Sequence, residues 1–127
     1  MNTNIPLTRG TSNSAGHDLV SPDCYIIAPG KSVIIDTGVK IYIKEGYYCK
    51  IEGRSSLGIK NIVPFNGTID SDYPNTIKVI LENKSDVNYV VQSGDRIAQL
   101  ILLKYEVFDN AVVLSNEPHT GFGSTGK

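Results

Sequence analysis

The chain has 127 residues, 40% of them hydrophobic, with 12 basic against 13 acidic side chains and a formal net charge of -1. That size builds one domain, residues 1–127, whose core needs no disulfide or metal staple. The near-neutral balance excludes a broad basic face for nucleic acid. No secretory leader opens the sequence and no apolar run is long enough to cross a bilayer, so the expectation is a soluble intracellular protein without membrane partners, cytoplasmic with the nucleus also open to it.

Residues 1–14 are small and polar, the composition of a mobile end. In Ser14-Ala15-Gly16-His17-Asp18-Leu19, Asp18 comes just ahead of the first predicted strand and reads, alone, as an Asx turn. Beyond it the apolar spacing is two almost throughout. Strands are predicted at 24–28 (CYIIA), 32–36 (SVIID), 39–43 (VKIYI), 47–52 (YYCKIE), 76–83 (TIKVILEN), 88–91 (NYVV) and 96–103 (RIAQLILL), with weaker ones at EVF and AVVL. Pro29-Gly30, Lys44-Glu45-Gly46, Lys84-Ser85-Asp86 and Ser93-Gly94-Asp95 supply tight reversals. Only 55–61 (SSLGIKN) suits a helical turn. Many short strands at even spacing describe an all-β antiparallel sandwich or jelly roll. Cys24 and Cys49, inside strand-like segments with no histidine at ligand spacing, are expected to be buried thiols. In 96–103, Ile97 and Ile101 face one way and Ala98, Leu100 and Leu102 the other. A two-layer sandwich buries one face per strand, so the second face is expected to meet another subunit. Gln99, on the side of Ile97, either satisfies a buried backbone group or reaches into a site at that interface.

Three segments carry chemistry. Gly67 to Tyr73 (GTIDSDY) is predicted to form a hairpin with Asp70 and Asp72 on one face and Tyr73 on the other. It is either an Asp-rich surface turn or, because Asp70 follows Ile69, a carboxylate tuned by burial as a general base. Gly53 to Gly58 (GRSSLG) offers the Arg54 guanidinium, the Ser55 and Ser56 hydroxyls and backbone N–H groups, a cradle for phosphate. Gly121 to Lys127 (GFGSTGK) fits both G-x-G-x-x-G and G-x-x-x-x-G-K, but with Lys127 last no helix follows to hold a phosphate. Residues 115–127 therefore read as a mobile arm: a plain Gly/Ser tail, or a lid whose Phe122 stacks on a base.

AGHDL, GRSSLG, GTIDSDY, GDRIAQLI and GFGSTG stand in the order and spacing of the five motifs of trimeric deoxyuridine triphosphatases, and from about Ala15 to Gly126 the chain resembles that family. The resemblance implies jelly-roll subunits in a homotrimer with shared active sites, the hairpin from one subunit, the phosphate cradle from a second and the arm from a third. It implies hydrolysis of dUTP to dUMP and pyrophosphate, which keeps uracil out of DNA and supplies dUMP for thymidylate synthesis. By the same resemblance Asp70 is the base that orients a water toward the α-phosphorus. Tyr73 packs beneath the deoxyribose, and the backbone from Gly67 through Thr68 and Ile69, and again near Lys78, reads the uracil. Arg54, Ser55, Ser56 and Gln99 hold the phosphates, and Asp18 binds a water of a Mg²⁺ carried on the triphosphate. Phe122 stacks on the uracil while Gly123, Ser124 and Thr125 close on the phosphates.

Three positions depart from the pattern. Glu117 stands five residues before Phe122, where the family has Arg; Pro74-Asn75 replace a basic residue and Gly; His17 fills an aromatic or aliphatic place. Two other functions stay open: a dCTP deaminase-like enzyme, which the uracil-type hairpin and the arm oppose, and a catalytically weak module that binds dUTP to signal to a protein partner, which Glu117 favours.

Overall fold

The computed structural model describes residues 7–114. In chain order they form β1 (His17–Val20), β2 (Tyr25–Ile27), β3 (Ser32–Asp36), β4 (Tyr47–Glu52), a four-residue helical turn α1 (Ser55–Gly58), β5 (Ile62–Pro64), β6 (Thr68–Ile69), β7 (Lys78–Asn83), β8 (Tyr89–Val91) and β9 (Arg96–Lys104). All pairs are antiparallel, in three sheets of order β1-β9-β4-β6, β3-β7-β5 and β2-β8. This is the jelly-roll class expected. No helix among the described residues is long and apolar enough to cross a membrane.

The period-two pattern does its work most visibly in β7, where Val79, Leu81 and Asn83 are buried while Lys78 and Ile80 are exposed. Val79 and Leu81 join Leu19, Ile35, Ile51 and Ile97 in one buried cluster. Each such aliphatic side chain stabilises the fold by about 1.5–3 kcal/mol on burial. Asn83 is the polar member, 1% exposed. Its Nδ2 donates to the carbonyls of Ile27 (2.8 Å) and Val87 (2.7 Å), and its Oδ1 accepts from the Ser85 N–H and hydroxyl.

Several expectations are corrected. Residues 39–43 form no strand: Ile41 and Ile43 pack against the core, but Ile77 N–H donating to the Val39 carbonyl is the one backbone bond between this segment and β7's approach, so no ladder develops. EVF and AVVL likewise form none. Three unforeseen short strands, β1, β5 and β6, appear, and the helix spans Ser55–Gly58 rather than 55–61, because Asn61 turns left-handed (φ 63°) just beyond it. Asp18 lies within β1 rather than in an Asx turn. Residues 7–14, read as part of a mobile end, hold a turn in which Arg9 donates to the carbonyls of Ser12 and Ser14. Cys49 is buried as expected; Cys24 is exposed. In β9, Ile97, Ala98 and Leu100 are all buried within the one chain, so both faces of its first half are already covered. Only further along does an apolar face open, with Leu102 55% exposed.

Asn83→Ala would leave the buried Ile27 carbonyl and the half-buried Ser85 N–H without their side-chain partner, while the Val87 carbonyl keeps the Ser85 hydroxyl at 3.0 Å; each unmet group costs about 1–3 kcal/mol. The expected loss is about 3 kcal/mol in urea unfolding with an unchanged m value. A loss below about 0.5 kcal/mol would show that water replaces the amide.

Candidate active site

The sheet register assembles the first half of the site. Strand β9 lies between β1 and β4, and the pairing sets Gln99 opposite Asp18 on one side and Glu52 on the other. Gln99 Nε2 donates to the Gly53 carbonyl at 2.9 Å. Gly16 makes room for this: a Cβ there would collide with the amide end and the Cβ of Gln99. Of the two readings of Gln99, the backbone bond is thus present, and it is made at the edge of the phosphate cradle.

Asp18, with 14% of its side chain exposed, accepts from the Thr8 hydroxyl (3.2 Å) and lies 3.9 Å from Arg96 Nη1. Arg54 Nη1 donates to the Arg96 carbonyl at 3.3 Å, which ties the end of β4 to the start of β9. Between them opens a cavity of about 420 Å³ bounded by Arg54, Ser56, Lys60, Tyr89, Asp95 and Arg96. Burial, then the nearby Asp95 carboxylate, push the Tyr89 phenol above its ordinary value while Arg54 opposes them, so the phenol stays a proton donor at neutral pH. The turn entering β9 passes through Gly94 at φ 93°, a left-handed conformation that side chains rarely take.

The second half is a cleft of about 210 Å³ lined by Gly67, Thr68, Ile69, Tyr73 and Lys78, with apolar walls from Ile51, Phe65 and Ile77. The segment expected as a hairpin is built differently. β6 pairs with β4 and not with β7, and the chain reverses through a loop in which the Tyr73 N–H donates to the Asp70 carbonyl (3.0 Å). Pro74 explains this, since it has no N–H to give a ladder. Tyr73 Oη donates to the Thr76 carbonyl at 2.8 Å, which fixes the ring beside the cleft. Lys78 Nζ lies 3.7 Å from Asp36 Oδ2. The Gly38 N–H, then the Thr76 hydroxyl and Lys78, hold the Asp36 carboxyl below its ordinary value.

Asp70 is exposed in the single chain and borders a hollow with Tyr48, Thr68 and Tyr105. Along β4, Ile69 stands opposite Cys49 and Gln99 opposite Glu52. Asp70 therefore lies level with Tyr48, about 13 Å along the strand from Gln99 at roughly 3.3 Å per residue. One chain brings Asp18, Arg54, Ser56 and Gln99 together, and Gly67, Thr68, Ile69, Tyr73 and Lys78 together, but not the two groups. Ser55 is exposed at the first position of α1 and does not border the cavity. Glu117, Phe122, Gly123, Ser124 and Thr125 lie outside the described residues. Sequence reading missed Lys60, Tyr89, Asp95 and Arg96; only Asp95 and Arg96, inside GDRIAQLI, carried any signal.

The dUTPase family signature matches residues 3–126, nearly the whole chain. The chain belongs to the dUTPase family. It is 40% identical over 123 residues to the deoxyuridine 5′-triphosphate nucleotidohydrolase of Paramecium bursaria Chlorella virus 1, covering 93% of this chain and 87% of that one. It is 42% identical over 125 residues to the enzyme of the same name from Hydrogenobaculum sp., covering 91% and 86%. The crystal structure of the Streptococcus mutans dUTPase has the same fold, with a TM-score of 0.75 at 31% identity over 82% of this chain and 88% of that one. The five segments that carried the resemblance all fall within that match, and the register described above relates AGHDL, GRSSLG, GTIDSDY and GDRIAQLI to one another.

Two outcomes follow for this dUTPase. Gly16→Ala should drive Gln99 from its bond to Gly53 and lower kcat/KM for dUTP by about tenfold or more; turnover within twofold of wild type would show that Gln99 has no part in the site. For Asp36, a folded-state pKa below the unfolded value of 3.8 favours the folded state above that value. This contribution is lost as pH falls through the lower folded value. Acid unfolding of Asp36→Asn should accordingly be less steep below about pH 4, and an unchanged acid limb would remove Asp36 from the linkage.

Proposed function

We propose that this chain hydrolyses dUTP to dUMP and pyrophosphate at a site shared between subunits, with the Asp70 cleft of one subunit facing the Arg54 cavity of another. The single observation that supports the sharing is the separation of about 13 Å along β4 between Asp70 and Gln99, too far for one nucleotide's α-phosphate to meet both in one chain. A homotrimer is the assembly the family resemblance implies, and the exposed Leu102 face of β9 suits a subunit contact.

In this reading the uracil and sugar enter the 210 Å³ cleft. Backbone groups of Gly67, Thr68, Ile69 and the approach to Lys78 present donors and acceptors to the uracil edge, and a reversed pattern such as cytosine's would leave them unmet. The Tyr73 ring, pinned through its hydroxyl to Thr76, lies under the deoxyribose and fills the space a 2′-hydroxyl would need. Arg54, Ser56 and Gln99 hold the phosphates, Arg54 by charge-assisted bonds, and Ser55, outside the cavity itself, reaches them from the exposed start of α1. The exposed Asp70 carboxylate takes a proton from a water as that water attacks the α-phosphorus in line, and pyrophosphate leaves. Phe122 with Gly123, Ser124 and Thr125 then close the site from the arm.

Among the described residues no three His, Cys, Asp or Glu side chains stand close enough to hold a metal ion. That fits a Mg²⁺ that travels on the triphosphate, keeps several of its waters and neutralises part of the phosphate charge. Asp18, whose Oδ2 already accepts from Thr8, would touch such an ion only through a water. Family membership favours the hydrolase over a deaminase or a binding-only module.

Asp70→Asn should lower kcat by about 10²- to 10⁴-fold while dUTP affinity stays within a few-fold, because the carboxylate acts on the water and not on the nucleotide. Release of pyrophosphate from dUTP, followed in single turnover, measures it. Near-normal turnover would take Asp70 out of the mechanism.

A further inference from the structure

Of the two cations bordering the 420 Å³ cavity that the proposed chemistry leaves unused, Arg96 faces Asp18 and Lys60 faces no carboxylate within ion-pair distance among the described residues. Lys60 borders it with Arg54 and Arg96, so three basic side chains line one pocket in a chain whose net charge is only -1. The acidic groups nearby are partly committed: Asp95 Oδ2 accepts from the Gln92 N–H (2.9 Å), and Asp18 faces Arg96. Lys60 makes no ion pair and its side chain no hydrogen bond among the described residues.

Its backbone, by contrast, is held on both sides. The Lys60 N–H donates to the Leu57 carbonyl (3.0 Å), and Leu57 is anchored in the core. Asn61, at φ 63°, turns the chain out of the helix, donates to the Gly58 carbonyl and accepts from the Lys84 N–H. A left-handed cap of this kind ends a helix at a defined residue. Lys60 is thus a free, flexible charge on a fixed mount, which suits an anion that arrives rather than one built in. The cavity's volume lies within the range of small-molecule sites. Arg54, tied to the start of β9, stands at the Gly53–Gln99 edge, while Lys60 follows it by six residues, past the whole of α1, about 9 Å further along at 1.5 Å per residue. An extended anion held first by Arg54 and Gln99 meets Lys60 last.

Resting on the dUTPase reading above, we infer that Lys60 is a further substrate-binding residue that holds the terminal phosphates and makes the site prefer a triphosphate to a monophosphate. It lies in none of the roles assigned so far, and it adds positive charge in a chain that carries Glu117 in the arm.

The test uses the full-length protein with Lys60→Met and Lys60→Arg, and three probes: dUTP turnover, dUMP binding and binding of inorganic tripolyphosphate. Loss of one charge-assisted contact is worth about tenfold in affinity. For Lys60→Met the expected result is a KM for dUTP and a Kd for tripolyphosphate each raised about tenfold, kcat within threefold, and dUMP affinity unchanged, with Lys60→Arg close to wild type. Equal weakening of dUMP and triphosphate would overturn the inference, as would tripolyphosphate binding indifferent to Lys60. A wild-type protein that binds tripolyphosphate through Lys60 but leaves dUTP intact would keep the anion site and sink the hydrolase reading instead.

Discussion

The whole site depends on the ladder in which β9 is held between β1 and β4. Hydrogen bonding to both neighbours sets Gln99 level with Asp18 and with Glu52, and Glu52 leads directly into Gly53 and Arg54. A slip of one residue would turn every side chain of β9 to the opposite face. Gln99 would then leave the cradle and Leu100 would take its place. The register is secured because Ile97, Ala98 and Leu100 are buried, so the energy of the core also defines the geometry of the polar edge. Gly16 completes the arrangement by letting β1's approach pass close to the Gln99 side chain.

Electrostatics divides labour between the two pockets. The cavity beside α1 gathers Arg54, Lys60 and Arg96, whereas the cleft beside Tyr73 is walled by Ile51, Phe65 and Ile77 and has its nearest cation, Lys78, engaged with Asp36. A charged tail and a flat, mostly neutral ring system each find a matching surface.

Much of this was legible in the residues. β3, β4 and β7 alternate in burial, and their buried positions are those the alternation selects, while β9 buries the adjacent pair Ile97 and Ala98. The segment VKIYI alternates equally well yet forms no strand, because pairing depends on a partner's register and not on pattern alone. β1, β5 and β6 are two to four residues long, too short for a period to show. Pro64 and Pro74 bracket the Asp70 loop and hid its pairing with β4. Of the candidate site, Asp18, Arg54, Asp70, Tyr73 and Gln99 were singled out by the motifs. Lys60 and Tyr89 were invisible, since their place beside the cavity comes from a helical turn and from a sheet packed nearby. Asp70's exposure was equally unreadable from its apolar neighbour.

Asn83 has a bearing on how the molecule opens. A sheet of only two strands, such as β2-β8, is marginal by itself in water. Here its terminal pair is Ile27 with Tyr89, and the amide of Asn83 grips the carbonyls of Ile27 and Val87 at that same end. The small sheet is fastened to β7, a strand with a fully buried row. Its amide protons should consequently exchange with solvent in step with those of the core, as one cooperative unit, where an untethered ribbon would fray on its own.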